Sequence, residues 1–568
     1  MLTYSVRRPA ALVVLPMLVL AGVAARATDI RHDNPKSISP HLERAEAEEV
    51  ETGPLVTTPP LPREFLTRGG FSSVQVNVNA AGNNIVGDAA NEPSLAVDPT
   101  RKNRIVVGWR QFNTVSSNFR QAGRAWSRDN GRTWTFPGVL TPGTFRSDPV
   151  VESDSAGNFY YLSLQGTFQC DVFKSTDGGQ TFGAPVPAFG GDKEWFTIDK
   201  SGGIGDGHIY VYWQVNGNPY YPNQFTRSIN GGASFQSPIP LTNEPVFGTL
   251  AVGPDGELYL CGDPFGSGGF FRVLRSDTAR DPAQAVTWSR NVAVNMLGEL
   301  SFGGPNPDGL LGQAWVDVDR SNGPRRGWVY LMASVQPNNS GDPLELRFSR
   351  STNGGQTWSA PIRVNDDPAN RNAYQWFGTM SVAPNGRIDA IWNDTRNDAN
   401  PSNPTFSELF YSYSEDGGFT WSPNVAVSPP FNHFLGYPQQ NKLGDYSDMQ
   451  SDAVGADVVY AATFNGEQDV YYLRIGDYDC NGNDAGDADD IALGTSDDVN
   501  ADGIPDECQC LRDLDGNGSI GLGDLSALLT NYGTSSGATP EDGDLDGDGD
   551  VDLADLSAVL EAFGAGCP

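Results

Sequence analysis

The chain has 568 residues, of which 66 are glycine, and a formal net charge of −33. A single hydrophobic core rarely supports so long a chain, so more than one domain is expected. Abundant glycine and aromatic residues, with few lysines, favour many short strands joined by turns and argue against a helical bundle.

The N-terminal segment predicts export from the cell. Arg7 and Arg8 precede the apolar run AALVVLPMLVLAGVAA, and ARA at positions 25–27 offers a cleavage site before Thr28. We expect residues 1–27 to be a signal peptide, with an uncleaved anchor as the alternative. The mature chain is then secreted or attached to a cell surface, with no membrane span. Residues 28–70 are polar and proline-bearing, and we interpret them as a disordered linker.

Residues 71–476 carry a repeated strand pattern. Apolar runs typical of buried strands, such as RIVVGW, HIYVYW and GWVYLMA, recur along this region. Seven such units of roughly 45–65 residues have the spacing of propeller blades. The pattern predicts an all-β, seven-bladed β-propeller, with six blades as the alternative. The seventh unit lacks a fourth strand, which residues 72–79 could supply by pairing the start of the chain with its end.

One turn closes the third strand in five of these units. Its form is S-x-[DN]-x-G-x-[ST]-[WF], and the copies begin at Ser127, Ser175, Ser228, Ser351 and Ser414. The acid or amide in each copy can bind backbone amides of its own turn, and the glycine can adopt a positive φ. The turn resembles the Asp box of the sialidase-like (BNR-repeat) β-propellers. In that family the box lies on the face away from the active site, which implies a structural role.

The strand order predicts where a site would lie. In a four-stranded blade, the first strand starts and the second strand ends on one rim, opposite the box turn. Carboxylates, arginines and aromatic rings at these positions would converge over the central channel, an arrangement that suits a sugar. The candidate catalytic residues are Arg110, Arg146, Asp148, Glu194, Asp394, Arg396 and Tyr446.

The family resemblance implies roles for some of these residues. It implies that Arg110, Arg146 and Arg396 bind the carboxylate of a sialic-acid-like substrate, with Tyr446 as nucleophile and Asp148 as acid. The arginine-isoleucine-proline motif of the family is absent, because the corresponding stretch reads NEPSLAVDP. Two hypotheses follow. The first is a glycosidase acting on extracellular polysaccharide or glycoconjugates; the second is a non-catalytic, lectin-like or protein-binding propeller that uses the same rim.

Residues 477–568 are strongly acidic, with 23 acidic residues and one basic residue, Arg512. This charge would repel nucleic acid and anionic lipid. DLDGNGSIGLGD and DLDGDGDVDLAD, which begin at Asp513 and Asp544, fit the EF-hand-type template for a Ca²⁺ loop. The expected ligands of the first loop are Asp513, Asp515, Asn517, the Ser519 carbonyl and Asp524. Those of the second loop are Asp544, Asp546, Asp548, the Asp550 carbonyl and Asp555.

Each loop leads into an amphipathic helix, and the apolar positions of the two helices match at a constant offset of 31 residues. The duplicated loop and helix in residues 510–568 resemble a type I dockerin, which implies a cohesin-like scaffold or the cell surface as partner. Residues 477–509 resemble a thrombospondin type 3 calcium repeat. There the expected ligands are Asp498, Asn500, Asp502 and Asp506.

The six cysteines of an exported chain can form disulfides. Cys480–Cys508 and Cys510–Cys567 are the local pairings. Cys170 and Cys261 either form a third bridge or remain as buried thiols.

Overall fold

The computed structural model describes residues 66–566, except 116, 215–217, 265, 401–402, 439 and 516–518. The predicted signal peptide, most of the predicted linker, Asn517 and Cys567 therefore lie outside the described residues. Within the described part, no helix is both long enough and apolar enough to span a bilayer.

Short antiparallel strands make up residues 67–476, in agreement with the predicted all-β class. The strands up to the fourth blade are β1 Thr67–Arg68, β2 Phe71–Gln75, β3 Ala89–Val97, β4 Ile105–Phe112, β5 Arg120–Ser127, β6 Ser147–Ser153, β7 Phe159–Leu164, β8 Cys170–Ser175, β9 Val186–Pro187, β10 Trp195–Ile198, β11 Ile209–Tyr212, β12 Asn223–Ser228, β13 Ile239–Pro240, β14 Leu250–Val252, β15 Leu258–Gly262, β16 Phe270–Ser276 and β17 Arg290–Asn295.

The remaining strands build the other three blades and the segments between them. They are β18 Gly298–Glu299, β19 Phe302–Gly303, β20 Asn306–Leu310, β21 Ala314–Val318, β22 Val329–Pro337, β23 Glu345–Ser351, β24 Ile362–Arg363, β25 Gln375–Val382, β26 Ile388–Asp394, β27 Phe406–Ser414, β28 Val425–Ala426, β29 Phe431–Asn432, β30 Asp448–Ser451, β31 Gly455–Ala462 and β32 Asp469–Gly476.

Strand pairing defines seven blades, so the predicted seven-bladed propeller is confirmed over the six-bladed alternative. Their orders are β3-β4-β5, β6-β7-β8-β9, β10-β11-β12-β13, β14-β15-β16-β17, β21-β22-β23-β24, β25-β26-β27-β28 and β30-β31-β32-β2. In the seventh blade β2 pairs antiparallel with β32, with Ser73 opposite Leu473. The start of the chain thus closes the ring, as the sequence predicts.

The blades pack through apolar strands and large aromatic side chains. Trp109, Trp213, Trp376 and Trp392 are among the largest side chains that are completely buried. The box turns make the predicted local contacts: Asp129 Oδ1 accepts hydrogen bonds from Ser127 Oγ (2.7 Å) and from the Thr133 amide (2.9 Å). Gly131 has φ +75°, where a side chain would meet Tyr472 of the seventh blade.

The C-terminal region is small and helical. It contains α1 Asp487–Leu493, α2 Leu522–Asn531 and α3 Leu553–Glu561, with short 3-10 turns at Asp506–Cys508 and Pro540–Asp542. Ile520, Leu528, Val551 and Val559 form its buried core. Asp524 and Asp555 cap the starts of α2 and α3, because they accept hydrogen bonds at 2.7 Å from the Gly521 and Asp552 amides.

One of the two predicted local cysteine pairings is confirmed. Cys480 and Cys508 form a disulfide. Cys510 is also disulfide-bonded, and its predicted partner lies outside the described residues. The Cys170–Cys261 bridge is wrong, and the alternative holds: both are buried thiols. Their blades, the second and the fourth, are not adjacent in the ring, and burial raises the pKa of the Cys261 thiol to about 12.

Candidate functional site

The first strands of several blades begin with a strained backbone. Glu92, Asp148 and Lys193 have φ values of 52°, 44° and 56°, in the left-handed region that side chains disfavour. The pairing register of β3 and β6 shifts at the same points, between Asn91 and Ser94 and between Ser147 and Val150. The bulges in β3 and β6, and the left-handed residue before β10, place these three charged side chains at the rim where the first strands start, which we call the opening rim.

Six charged side chains form a buried ion network at this rim. Lys193 Nζ lies 3.3 Å from Asp148 Oδ2 and 2.6 Å from Asp445 Oδ2. Lys442 Nζ lies 2.7 Å from the same Asp445 oxygen and 3.3 Å from Glu92 Oε1. Arg110 Nε lies 3.1 Å from Glu92 Oε2. We call Glu92, Arg110, Asp148, Lys193, Lys442 and Asp445 the rim network; it joins the first, second and third blades to the segment before β30.

Burial and pairing separate the pKa values of these carboxyls. Burial raises the pKa of Glu92 to about 7, although Arg110 and Lys442 oppose the shift. Burial acts in the same direction on Asp445, but Lys193 and Lys442 outweigh it and hold the pKa of that carboxyl well below its usual value. Opposed shifts within one cluster are typical of acid–base sites, although structural ion networks produce them too.

Glu194 lies beside the network without joining its ion pairs. Its side chain is 2% exposed, and the buried Cys170 thiol faces its carboxyl group. Burial and then the charge of Asp148 raise the pKa of Glu194 well above its usual value. For Asp148, burial is outweighed by Lys193 and Lys442, and its pKa is lowered. One carboxyl therefore favours the protonated form and its neighbour the ionised form.

Tyr446 is held as a neutral phenol. Its hydroxyl donates to the Pro149 carbonyl oxygen at 2.8 Å, and its ring meets Trp195 edge-on at 5.2 Å. Burial and then the charge of Glu92 raise the pKa of Tyr446 well above its usual value. The proton of this hydroxyl is therefore directed to a backbone carbonyl and not to a carboxylate base.

The three predicted arginines have separate partners. Arg110 belongs to the rim network. Arg146 Nη1 lies 2.7 Å from Asp171 Oδ2 in its own blade, and Arg396 Nη2 lies 2.8 Å from Asp394 Oδ2 in the sixth blade. Neither Arg146 nor Arg396 makes an ion pair with the rim network in the part of the chain that the structure describes. Joint binding of a substrate carboxylate by the three stays a prediction.

The predicted residues of the opening rim are covered. All seven are between 0 and 9% exposed. The segment that supplies Lys442 and Asp445 is fastened to residues 306–310: Asn306 Nδ2 donates to the Gly444 carbonyl at 2.8 Å, and the Leu310 amide donates to Asp445 Oδ1 at 2.9 Å. These hydrogen bonds hold the segment that carries Lys442, Asp445 and Tyr446 against the propeller. Sequence reasoning named Asp148 and Glu194 but not Lys193 or Lys442, although Lys193 directly precedes Glu194.

An open cavity lies elsewhere on the channel axis. It has a volume of about 500 Å³ and is lined by the innermost strands and by the turns that follow them. Trp195 and Trp315 line it, with ring centroids 5.2 Å apart, and Lys200 and Arg320 line it beyond the ends of their strands. Because first strands end on the rim that carries the box turns, this cavity extends toward the face opposite the opening rim. The strand pattern gave no signal for it.

The C-terminal loops bring carboxylates together. Three groups offer oxygens within 4.8 Å of one another: Asp513 with Asp515 and Asp524, Asp544 with Asp546 and Asp548, and Asp550 with Asp552 and Asp555. In the second loop Asp544 accepts hydrogen bonds from the Gly547 and Gly549 amides at 2.8 and 2.9 Å, which curl the backbone around it. Oxygen-only clusters of this kind could hold a hard metal ion.

The segment before these loops is also curled around acidic side chains. Asp498 Oδ1 accepts from the Asp502 amide, and Asp506 Oδ1 accepts from the Val499 amide, both at 3.1 Å. Lys102 of the first blade lies 3.0 Å from Asp479 Oδ2, so the segment contacts the propeller.

No protein-family model and no curated protein sequence matches the chain. Solved structures similar to it include a protein of unknown function from Dyadobacter fermentans, with a TM-score of 0.42, 15% identity and coverage of 71% of this chain and 97% of that one. An endosialidase of phage phi92 is similar with a TM-score of 0.41 and 10% identity, and the match covers 72% of this chain and 69% of that one. The Hadza microbial sialidase Hz136 is similar with a TM-score of 0.38 and 13% identity, and the match covers 68% of this chain and 65% of that one. The seven-bladed architecture rests on the strand pairing itself.

Proposed function

We propose that the protein is an extracellular, calcium-dependent protein with two roles in one chain. Its C-terminal region acts as a dockerin-like anchor to a cohesin-like scaffold or the cell surface. Its propeller acts on an extracellular glycan or polysaccharide. The observation that carries the proposal is a duplicated apolar surface next to duplicated acidic loops.

That surface lies on the two C-terminal helices. Leu522 and Leu553 are 77 and 67% exposed, Leu529 and Leu560 are 51 and 52% exposed, and Tyr532 and Phe563 are each 45% exposed. We call these six residues the helix face. Exposed apolar side chains clustered in this way mark binding surfaces. Because the acidic loops end where the helices begin, metal binding would fix the orientation of the helix face.

The anchor is tested by binding the full chain to immobilised cohesin modules, with calcium and with a chelator. We expect binding with calcium and loss of binding with chelator. Leu522→Asp/Leu553→Asp should lose binding, whereas Leu493→Asp, at an equally exposed leucine outside the helix face, should keep it. An unchanged affinity in the double variant, or no binding to any cohesin, would count against the anchor.

For the propeller, the opposed pKa shifts of Glu194 and Asp148 support hydrolysis. A protonated carboxyl beside an ionised one supplies the proton donor and the negative charge that glycosidic bond cleavage requires. The test is turnover of a fluorogenic glycoside panel led by a sialoside. Glu194→Gln and Asp148→Asn should each lower kcat by at least about 100-fold. Asp317→Asn, at the other end of the channel, is the matched control and should not.

A non-catalytic glycan-binding propeller is the second candidate. The burial of all seven predicted residues, and the bond of Tyr446 to a backbone carbonyl, favour it. Binding of a glycan on an array without turnover of that glycan would establish this candidate and exclude hydrolysis.

A further inference from the structure

The open cavity on the box-turn side of the channel has an aromatic floor. Trp195 and Trp315 lie early in β10 and β21, so their rings lie deep in the cavity, and they are 5 and 6% exposed. Their ring planes meet at 77°, with centroids 5.2 Å apart. The two rings therefore form a corner and not a parallel slot. We call this pocket the channel cavity.

The indole nitrogens of this floor have no protein acceptor. Among the described residues, Trp195 Nε1 and Trp315 Nε1 donate no hydrogen bond, and neither atom is sealed inside the core. By contrast, Trp213 Nε1, outside the cavity, donates to the Asn223 carbonyl at 3.1 Å. The N–H of a largely buried tryptophan usually has a partner. An acceptor inside the cavity would supply it, as water in the free protein or as an oxygen atom of a ligand.

Polar groups surround the floor where the first strands end. Glu152 Oε2 lies 2.9 Å from Lys200 Nζ, and both side chains are partly exposed. Thr197 Oγ1 donates to Glu152 Oε1 at 3.4 Å, and Arg320 Nε donates to the Val252 carbonyl at 2.7 Å. A carboxylate offers about four acceptor positions and an ammonium group three donors, so these pairs keep capacity for further hydrogen bonds. The wall of the cavity thus offers donors and acceptors side by side.

This lining fits a neutral sugar better than other classes of small ligand. An apolar ligand would remove water from Glu152 and Lys200 without replacing its hydrogen bonds. A flat aromatic ligand requires parallel ring faces, which Trp195 and Trp315 do not form. A charged ligand would compete with the existing ion pair for one of its members. A sugar has C–H groups that pack on indole rings and hydroxyls that both donate and accept.

The shape of the channel cavity limits which part of a sugar chain can enter. Its volume of about 500 Å³ lies within the usual range of small-molecule sites. None of the residues that line it belongs to the rim network. At its inner end, the ring of Trp195 meets that of Tyr446 at 5.2 Å, and Tyr446 is buried. The pocket therefore admits the end of a chain and not its middle.

We propose that the channel cavity binds the end of an uncharged sugar chain. Trp195 and Trp315 pack against the sugar and donate their indole N–H groups to its oxygens, and Glu152 and Lys200 bind its hydroxyls. The site lies on the face opposite the opening rim. It rests on the proposed role of the propeller in acting on glycans, but it requires no hydrolysis at the opening rim.

Calorimetric titration of the full chain tests the site. The probes are neutral cello-, xylo-, manno- and arabino-oligosaccharides, with sialyllactose and oligogalacturonate as charged probes. We expect at least one neutral probe to bind, and to bind more tightly than the charged ones. Trp315→Ala should weaken that binding at least about tenfold. Trp358→Ala removes a partly buried tryptophan from the box turn of the same blade, outside the cavity, and is the matched control.

A second variant decides if Trp315→Ala does not fold. Glu152→Gln/Lys200→Met removes both charges of a partly exposed pair, so it leaves no unpaired charge, and it should also weaken binding at least about tenfold. Failure of every neutral probe to bind, tighter binding of a charged probe, or unchanged affinity in the pair variant would each overturn the inference. If Asp148→Asn abolishes binding and the cavity variants keep it, the sugar binds at the opening rim. That result would overturn this inference and leave the proposed function standing.

Discussion

The surroundings of the aspartate side chains differ between the propeller and the C-terminal region. In the propeller, buried carboxylates such as Asp148 and Asp445 share a lysine, and large apolar clusters surround them. In the C-terminal region, four buried apolar residues form the core, and 23 acidic residues face one basic residue after position 476. The propeller therefore folds on burial and internal pairing. The C-terminal region buries too little apolar surface to offset its own repulsion.

Removing divalent cations should produce the largest difference in stability between the two regions. We expect chelation to unfold α2 and α3 completely, because the loop carboxylates then repel one another at the start of each helix. Hydrogen exchange should show full loss of protection in Leu522–Asn531 and Leu553–Glu561 and unchanged protection in Val329–Pro337. Helices that stay protected in chelator would contradict the expected difference between the two regions.

Trp392→Ala should destabilise the propeller by about 3–5 kcal/mol, because it removes a completely buried ring from the core. The indole also donates to Asp394 Oδ2 at 2.7 Å, which loses a partner. Chemical denaturation measures the loss of unfolding free energy. The control is Phe419→Ala, at a side chain that is 58% exposed. A loss no larger than that of the control would contradict a burial-dominated propeller.

Removing the Cys480–Cys508 disulfide should cost about 3–4 kcal/mol locally, because the bridge closes a loop with a sequence separation of 28. The double serine variant should lose protection in Asp487–Leu493, and the propeller should be unaffected. Cys261→Ala removes a thiol without removing a cross-link and is the control. Unchanged protection of α1 would show that metal binding alone orders this segment.

The smallest expected effect is a pH-dependent contribution of one box turn to the free energy of unfolding. Hydrogen bonds from Thr420 and Ser414 outweigh burial and lower the pKa of Asp416 to about 2. A lowered folded-state pKa stabilises the protein above the unfolded pKa of about 4, and this contribution disappears as the pH falls toward 2. Asp416→Ala should cost about 1 kcal/mol near neutral pH.

At pH 2 most of this cost should be lost, because Asp416 is then largely protonated in the unfolded state and about half protonated in the folded state. Asn353→Ala, at the same position of another box, should show a cost that does not change with pH, since an amide does not titrate. Unfolding free energies measured across this pH range compare the two. A parallel pH dependence in both variants would show that Asp416 is not the titrating group.

The sequence determined the features that depend on neighbours along the chain. Asp129 binds the amide of Thr133 four residues away, so an eight-residue sequence motif is enough to predict the box turn. The capping of α2 by Asp524 and the Cys480–Cys508 bridge are similarly local. The spacing of the strands was enough to predict seven blades and the closure by β2, because each blade repeats one pattern.

Which charges meet and which surfaces stay open depends on how the blades are arranged in space. Lys193 and Asp445 share an ion pair although they are far apart in sequence, and Asp88 meets Asp469 only because the ring closes. The sequence placed Arg110, Arg146 and Arg396 on one rim, but pairing and burial assign each its own carboxylate. Electrostatic partners depend on distances in space, and a strand pattern does not encode distances between blades.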